Sequence, residues 1–599
     1  MTPTPGGPVD RHRRRTFLGI SSGHSDPSVA VVRDGRVVAY AEEERFVRNK
    51  HAVGQYPTRA LRYCLDAVGL RLDEVDSVSV GWHSEAYSDG RMARFFEELG
   101  QQWEPDPGTL AWQRDCLRRL SVEGMRAHHH RHWRREFGDL DFPPIQHVPH
   151  HYTHAFQAAL ESPFDPAVTL TVDGSGDEHT TVLWLRQGHE LTPLREIRMP
   201  HSLGWFYAAF TEYLGFDAYD GEYKVMGLAA YGHPDAALAK LVGEVLAPAP
   251  DGVEFRVDPR FIHYGAHTYS ARFTDDLVAL LGAPPRPVAG AVGQWHKDLA
   301  LAVQTALEEA VCRLVSWAVR ETGVRDVCVG GGVGLNVKMN ARLLALPEVD
   351  RVFAHPLCAD SGAAAGAALV TCHRETGLVP PPLTSLALGP EVSGEAAAPV
   401  LAAARVPFER PADLFADIAR DLAAGQVVGW VDGRLEAGPR ALGQRSILAD
   451  PRAVEQRDRV NAVIKQREAW RPFGPAMLAS AAPRYLEPEV VDSRFMTMAF
   501  RATDELRRDA PATVHTDGTT RVQLVHRDAN PRFHRLLTGF EALTGVPVLL
   551  NTSFNVRGEP IVSGVEDALR TFWATGLDVL VLGDLVVRKE PTGAGGEGR

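Results

Sequence analysis

The chain has 599 residues, of which 44% are hydrophobic and 23% charged, proportions that give an ordinary globular protein sizeable cores and exclude global disorder. A formal net charge of −12 leaves no basic excess for nucleic acid or an anionic membrane surface. The six cysteines are widely spaced and include no C-x-x-C pair, which argues against a disulfide framework or a zinc ribbon.

Taken in chain order, residues 1–15 end in Arg11-His12-Arg13-Arg14-Arg15, with no apolar run behind them. They read as a disordered tail, not a secretory signal. No window approaches the roughly 18 apolar residues of a membrane span, and a cytoplasmic location is expected. Residues 16–21 read as a strand, and Val29–Val32 and Arg36–Tyr40 flank an Asp34-Gly35 hairpin turn. The plan recurs at Val168–Val172, the polar loop Asp173-Gly174-Ser175-Gly176-Asp177, and Thr180–Leu185. Such a duplication suggests the actin/sugar-kinase/Hsp70 architecture, in which both loops face one nucleotide cleft.

Residues 84–145 carry helical periodicity and read as an insertion. Its run Arg126–Arg135, with His128, His129, His130, His132 and Trp133, reads as a solvated helix face, a substrate-pocket wall being the alternative. An apolar helix over Ala300–Val319 leads to the strand Val327–Val329, the turn Gly330–Asn336 and a small-residue helix following Asp360. Periodicity stops from Gly377 to Pro390. Beyond it we expect a strand at Val427–Val431, a short helix at Ala437–Arg445 and a strand at Val546–Leu550. The expected organisation is a domain over 16–385 with its insertion at about 84–145, a second α/β domain over 386–590, and a disordered tail at 591–599.

Three groups of residues could carry chemistry. His150 and His154 are spaced to project from one helix face, shortly before Asp173, with Asp360 a fourth candidate. Four such histidine pairs occur in the chain (His128/His132, His147/His151, His150/His154 and His263/His267), so spacing alone leaves ordinary surface or core histidines open. A mixed nitrogen and oxygen set suits Fe(II), Mn(II) or Zn(II). The loops Ser21–Asp26, Asp173–Asp177 and Gly330–Asn336 each follow a strand, where backbone N–H groups cradle phosphates; tight turns are the alternative. Only seven of the 64 basic residues are lysine, and Lys50 and Lys338 could neutralise phosphate or simply form surface salt bridges. Finally Arg440, Lys465, Arg467, Arg471 and Arg521 accumulate beside turn residues, with Asn551 and Ser553 at a strand end. That pattern suits a small phosphorylated anion, unless local carboxylates satisfy the charges.

Nine ordered segments give the chain its likeness to a known family. They include Gly19-Ile20-Ser21, His150-His151-Tyr152-Thr153-His154, Asp173–Asp177, Gly221–Ala229, Gly330–Asn336, Asp360-Ser361-Gly362, Gly438–Gly443, Arg471–Pro475 and Asn551–Asn555. In these segments the sequence resembles the NodU/CmcH O-carbamoyltransferases, which carbamoylate hydroxyls of antibiotics and nodulation factors. The resemblance implies an actin-like N-terminal domain similar to tRNA threonylcarbamoyltransferase and a YrdC-like C-terminal domain. It implies that carbamoyl phosphate yields carbamate, that carbamate and ATP give carbamoyl adenylate and pyrophosphate, and that a hydroxylated natural product accepts the carbamoyl group.

By the same resemblance His150, His154, Asp173 and Asp360 would hold an iron(II)-type metal, with Mn, Mg or Zn as alternatives. Lys50 and Gly331, Gly332, Gly334 and Asn336 would hold ATP, and Arg440, Lys465, Arg521, Asn551 and Ser553 would hold carbamoyl phosphate. His24 is the candidate base toward the acceptor hydroxyl. The stretch His201–Phe216, with Trp205, Phe206, Tyr207 and Tyr213, reads as a core helix or as an apolar acceptor pocket. The rival reading is a tRNA-modifying enzyme using threonylcarbamoyl adenylate, which would need a basic surface. Hydrogenase-maturation chemistry would bring cysteine-rich zinc fingers, absent here, and a nucleotide-gated regulator would not need both charged sets.

Overall fold

The computed structural model describes residues 14–23, 25–264, 271–468, 470–488 and 492–589. His24, His267 and most of both expected tails lie outside these residues. Two five-stranded sheets repeat one plan. In the first, Thr16–Ser21 is central, antiparallel to Ser28–Arg33, which pairs with Arg36–Glu42; on its other side Ser77–Val80 and Ile145–His147 run parallel. In the second, Ala167–Gly176 is central, antiparallel to His179–Gln187 and then Glu190–Arg198, with Asp326–Gly330 and Arg351–Ala354 parallel on the other side. The expected duplication is therefore physical. The Asp34-Gly35 turn has φ of 51° and 73°, the double positive φ that matches strand twist in a two-residue hairpin.

Two helices, His150–Leu160 and Asp360–Thr376, pack against each other and against the two central strands. Small residues permit this. A Cβ on Gly19 would stand 1.7 Å from the Ala364 carbonyl oxygen, and one on Gly366 would stand 2.7 Å from the Thr153 backbone. Asp360 opens its helix at the end of this close contact.

The insertion is helical over Ser84–Ser88, Arg91–Gln102, Pro107–Arg119 and Val122–Phe137. On its last helix Arg126, Arg131, Arg134 and Arg135 are exposed while His129 and Trp133 are buried. Tyr56 stacks on His132 at 4.2 Å and hydrogen-bonds His129 at 2.8 Å, so these histidines pack the insertion onto the first sheet. The helix Leu203–Tyr213 is buried along nearly its whole length, which makes it a core helix.

The C-terminal half is built on a mixed seven-stranded sheet. Its spatial order runs Gln523–Val525, Gly474–Leu478, Val548–Ser553, Arg445–Ala449, Val428–Val431, Val579–Leu582 and Leu585–Arg588. The α/β class holds throughout. Two expectations fail locally. Ala437–Arg445 is not a helix: Gly438 and Gly443 take φ of 86° and 94° around Pro439, and the Glu436 carboxylate accepts the N–H groups of Leu442 and Arg445 instead. Asp173–Gly176 is not a free loop but the bulged end of the strand Ala167–Gly176. Among the described residues no helix is long and apolar enough to cross a membrane.

Gly19→Ala should lower stability by about 1–3 kcal/mol, because the added methyl meets a backbone oxygen that cannot swing away. Gly243, exposed in the helix Ala236–Val245 with nothing within 4 Å of a new Cβ, should instead gain about 0.5–1 kcal/mol on substitution by Ala. Urea midpoints of the two variants moving in the same direction would contradict this packing.

Candidate functional site

Four side chains converge from three elements. His150 and His154 lie one turn apart on the first helix, Asp173 stands at the bulge of the second sheet's central strand, and Asp360 opens the other helix. One ligand atom from each lies within 4.8 Å of every other. The Nε2 atoms of His150 and His154 are 3.2 Å apart, and Asp173 Oδ2 is 3.6 Å and 3.5 Å from them. Asp360 Oδ1 is 3.6 Å from His150 Nε2.

The surroundings fix these groups. His150 Nδ1 faces the Gly81 carbonyl at 3.2 Å; donation there leaves the Nε2 lone pair aimed at the cluster, as in metal-ligating histidines. Asp177 accepts the backbone N–H groups of His150 and His83. A Cβ on Gly176 would lie 2.1 Å from His150 Cδ2, so only glycine leaves room for the ring.

Charges inside the cluster are coupled. Burial works against a charged His150, but the nearby Asp173 carboxylate and the Asp360 charge outweigh it and raise its pKa to about 9. His154, buried and beside the charged His150, falls to about 3. Asp173 is buried too, yet its two imidazole neighbours hold it below the usual carboxylate range. Burial and the Asp173 charge push Asp360 up to about 7. Asp173 Oδ2 is buried without a hydrogen-bond partner, an arrangement that is costly unless something occupies the space between the ligands. Two imidazoles and two carboxylates in this geometry fit a divalent cation of the Fe(II), Mn(II) or Zn(II) type.

The Gly330–Asn336 turn presses on the same strand. Gly331 has φ of 82°, and a Cβ there would lie 2.3 Å from the Val172 oxygen; on Gly332 it would lie 3.1 Å from Asp173 Oδ1. A Cβ on Gly334 would lie 2.8 Å from Cys358 Sγ. Asn336 caps the helix Val337–Leu344 through Met339 N and exchanges hydrogen bonds with Gln304, so its side chain already has structural work.

Sequence reading missed a second cluster of Asp26, Glu44 and His51. His51 Nδ1 lies 2.8 Å from Asp26, its Nε2 3.4 Å from Asp220, and its backbone N–H donates to Glu44. Despite burial, the bonds to Asp220 and Asp26 raise the imidazole to about 10, so it is a fixed cation at neutral pH. Lys50 pairs with the same Asp220 carboxylate and faces the Tyr223 ring.

In the C-terminal half Arg440, Lys465, Arg467, Arg471 and Arg521 gather. Burial lowers Arg440 to about 10 and Arg467 to about 9, with the Arg471 charge adding to both. Arg521 is driven well below the ordinary guanidinium value by burial and then by Arg440, Arg467 and Arg471. Lys465 is driven down by burial and by Arg467, Arg471 and Lys50. Its ammonium donates to Ser553 O at 2.8 Å, Asn555 O at 2.9 Å and Asn555 Oδ1, so Lys465 and Ser553 bind each other directly. Asn551 Nδ2 donates to Ala441 and Gln523, leaving its Oδ1 buried and unpartnered. Arg471 lies 3.7 Å from Glu468, which also faces Arg557. Lys338 pairs with Asp517 and lines a pocket together with Arg471, His515 and Arg521.

Asp173→Asn, which keeps volume and removes charge, should weaken Mn(II) or Fe(II) binding at least about tenfold, as loss of a ligand's charge does at such sites; calorimetry that finds unchanged affinity would contradict a cation site. Arg521→Met relieves like-charge repulsion and should raise the unfolding temperature by about 2–4 °C in phosphate-free buffer. A fall there would mean that the cluster is already compensated.

The comparisons with known proteins agree with each other. Residues 16–369 match the family model "Carbamoyltransferase N-terminus", and residues 419–589 match "Carbamoyltransferase C-terminus". The chain is 37% identical to an uncharacterized protein of Synechocystis sp., over 96% of each chain. It is 35% identical to nodulation protein NolNO of Sinorhizobium fredii, over 94% of this chain and 79% of that one. It is also 37% identical to nodulation protein NolO of Bradyrhizobium diazoefficiens, over 74% of this chain and 79% of that one. The chain is an enzyme of the carbamoyltransferase family, of the NodU type.

Proposed function

We propose that this enzyme uses carbamoyl phosphate and ATP to carbamoylate a hydroxyl of a natural product. The carrying observation is the arginine and lysine group in the C-terminal half: Arg471 meets Glu468, but among the described residues Arg440, Lys465, Arg467 and Arg521 form no ion pair, and a phosphorylated anion is the ligand that would offset their repulsion. On this reading the C-terminal half is the YrdC-like unit and the duplicated sheets are the actin-like unit, the repeated strand order supporting the latter.

In the first step water breaks the P–O bond of carbamoyl phosphate, giving inorganic phosphate and carbamate. Arg440, Arg467, Arg471 and Arg521 bind the phosphoryl oxygens, Asn551 offers its free carbonyl oxygen to the carbamoyl NH2, and Lys465 holds Ser553 and Asn555 in place around them. In the second step a carbamate oxygen attacks the α-phosphorus of ATP and pyrophosphate leaves. The turn containing Gly331, Gly332, Gly334 and Asn336 bears on Asp173 and would receive the nucleotide. A cation bound by His150, His154, Asp173 and Asp360 would supply Lewis-acid neutralisation of phosphate charge. In the last step the acceptor hydroxyl attacks the carbamoyl carbon, its proton passes to a base, proposed to be His24, and AMP leaves. Lys50, paired with Asp220, is also close enough to Lys465 for its charge to add to the lowering of that ammonium's pKa.

Pyrophosphate release from ATP should require carbamoyl phosphate and proceed without any acceptor. Arg521→Ala and Asp173→Ala should each reduce it by about 10² or more, the loss expected when a group bound to transferring phosphate is removed. Pyrophosphate formed without carbamoyl phosphate, or only with threonine and bicarbonate, would sink this function and favour the threonylcarbamoyl adenylate reading.

A further inference from the structure

One short segment of the N-terminal half grips both loops of the anion site. The helix Glu44–Val47 ends at Arg48, which adopts a left-handed conformation at φ 57°, ψ 30°; His51, three residues on, does so again at φ 62°. Neither is glycine, so each conformation costs energy that surrounding contacts must cover. Arg45 and Arg48 reach toward the C-terminal half, and Lys50 and His51 toward Asp220.

Toward the C-terminal half, Arg48 donates to Ile561 O at 2.6 Å and to Pro560 O at 2.8 Å, with Asp567 at 3.5 Å and Glu559 at 3.7 Å. The gripped strand of chain folds back on the anion site: Val562 N donates to Phe554 O, and Asn555 Nδ2 donates to Glu559 O. Asn555 in turn holds the Lys465 ammonium through both its backbone and side-chain oxygens. Three residues earlier, Arg45 is buried between Glu42 and Glu44 and donates to Gly438 O at 2.8 Å, two residues before Arg440. Toward the N-terminal half, Lys50 and His51 converge on Asp220, and the second Glu44 oxygen takes the His51 N–H.

We propose that Arg48 is a positioning residue that keeps the Lys465–Asn555 side of the anion site in register with Lys50 and the nucleotide side. This role rests on the function proposed above, because it concerns the transfer of carbamate from one site to the other. A plain clamp between halves would slow both reactions together. A positioning residue acts on their ratio, since carbamate formed out of register is lost to solvent before it meets ATP.

The test uses the full chain with divalent cation, ATP and carbamoyl phosphate, and measures released phosphate against released pyrophosphate. The wild type should give a ratio of about 1, and Arg48→Ala about 10 or more, because displacement of about 1 Å costs a reaction step of this kind about 10². Its rate of phosphate release should stay within about threefold of wild type, as no group bound to phosphate is removed. Arg48→Lys, which keeps the charge and one donor direction, should fall between, and it decides the matter alone if Arg48→Ala does not fold. Unchanged ratios, or both rates falling in proportion, would overturn the positioning role. A wild type that makes no pyrophosphate from carbamoyl phosphate would instead overturn the function itself, and this role with it.

Discussion

Five cations brought together inside one half of the molecule, of which, among the described residues, Arg471 alone pairs with a carboxylate, Glu468, are the constraint on which the remaining structure depends. Burying one guanidinium is expensive, and burying several in mutual repulsion is more so. The fold meets this cost with backbone oxygens. Ser553 and Asn555 at the end of the strand Val548–Ser553 hold Lys465, and Glu436 ties the Gly438–Arg445 turn into place by two backbone N–H groups. The turn is irregular because it must be: a helix over the same residues would consume the Leu442 and Arg445 N–H groups internally and carry Arg440 elsewhere.

The N-terminal half solves the opposite problem, concentrating acids and imidazoles. Duplication of one five-stranded plan puts two helices back to back between the sheets, and glycine and alanine along the Asp360–Thr376 helix let them approach closely. That approach aligns Asp360 with His150 and His154, while the bulge after Val172 swings Asp173 into the same space. The site is therefore a by-product of where two copies of a unit meet, with Gly176 keeping the His150 ring clear of the strand.

The strand hairpin, the repeated unit, the helical insertion and the aromatic core helix were legible in the sequence because each is local: a turn dipeptide, a period of two or of 3.6, a run of apolar residues. His150 and His154 were legible for the same reason, and Asp173 and Asp360 as the first polar residues at a strand end and a helix start. Asp26, His51 and Asp220 were not, since they meet only through tertiary folding across nearly 200 residues and share no periodicity. The adjacent Lys50-His51, with the scarcity of lysine, was the one available hint. The error at Ala437–Arg445 came from weighting Ala and Leu above Gly438, Pro439 and Gly443, whose backbone preferences prevailed. Asn336, expected in a ligand turn, also caps the helix Val337–Leu344, a second role that its spacing in the sequence did not reveal.

The most direct measurement is calorimetric titration of the full-length chain with inorganic phosphate at low and at moderate salt. The excess of positive charge in this group predicts one phosphate per chain, competition by carbamoyl phosphate, weaker binding as salt rises, and a loss of about 10² in affinity in Arg521→Met. Absence of phosphate binding, or equal binding by wild type and Arg521→Met, would contradict the claim that this group of charges is built around a phosphorylated anion.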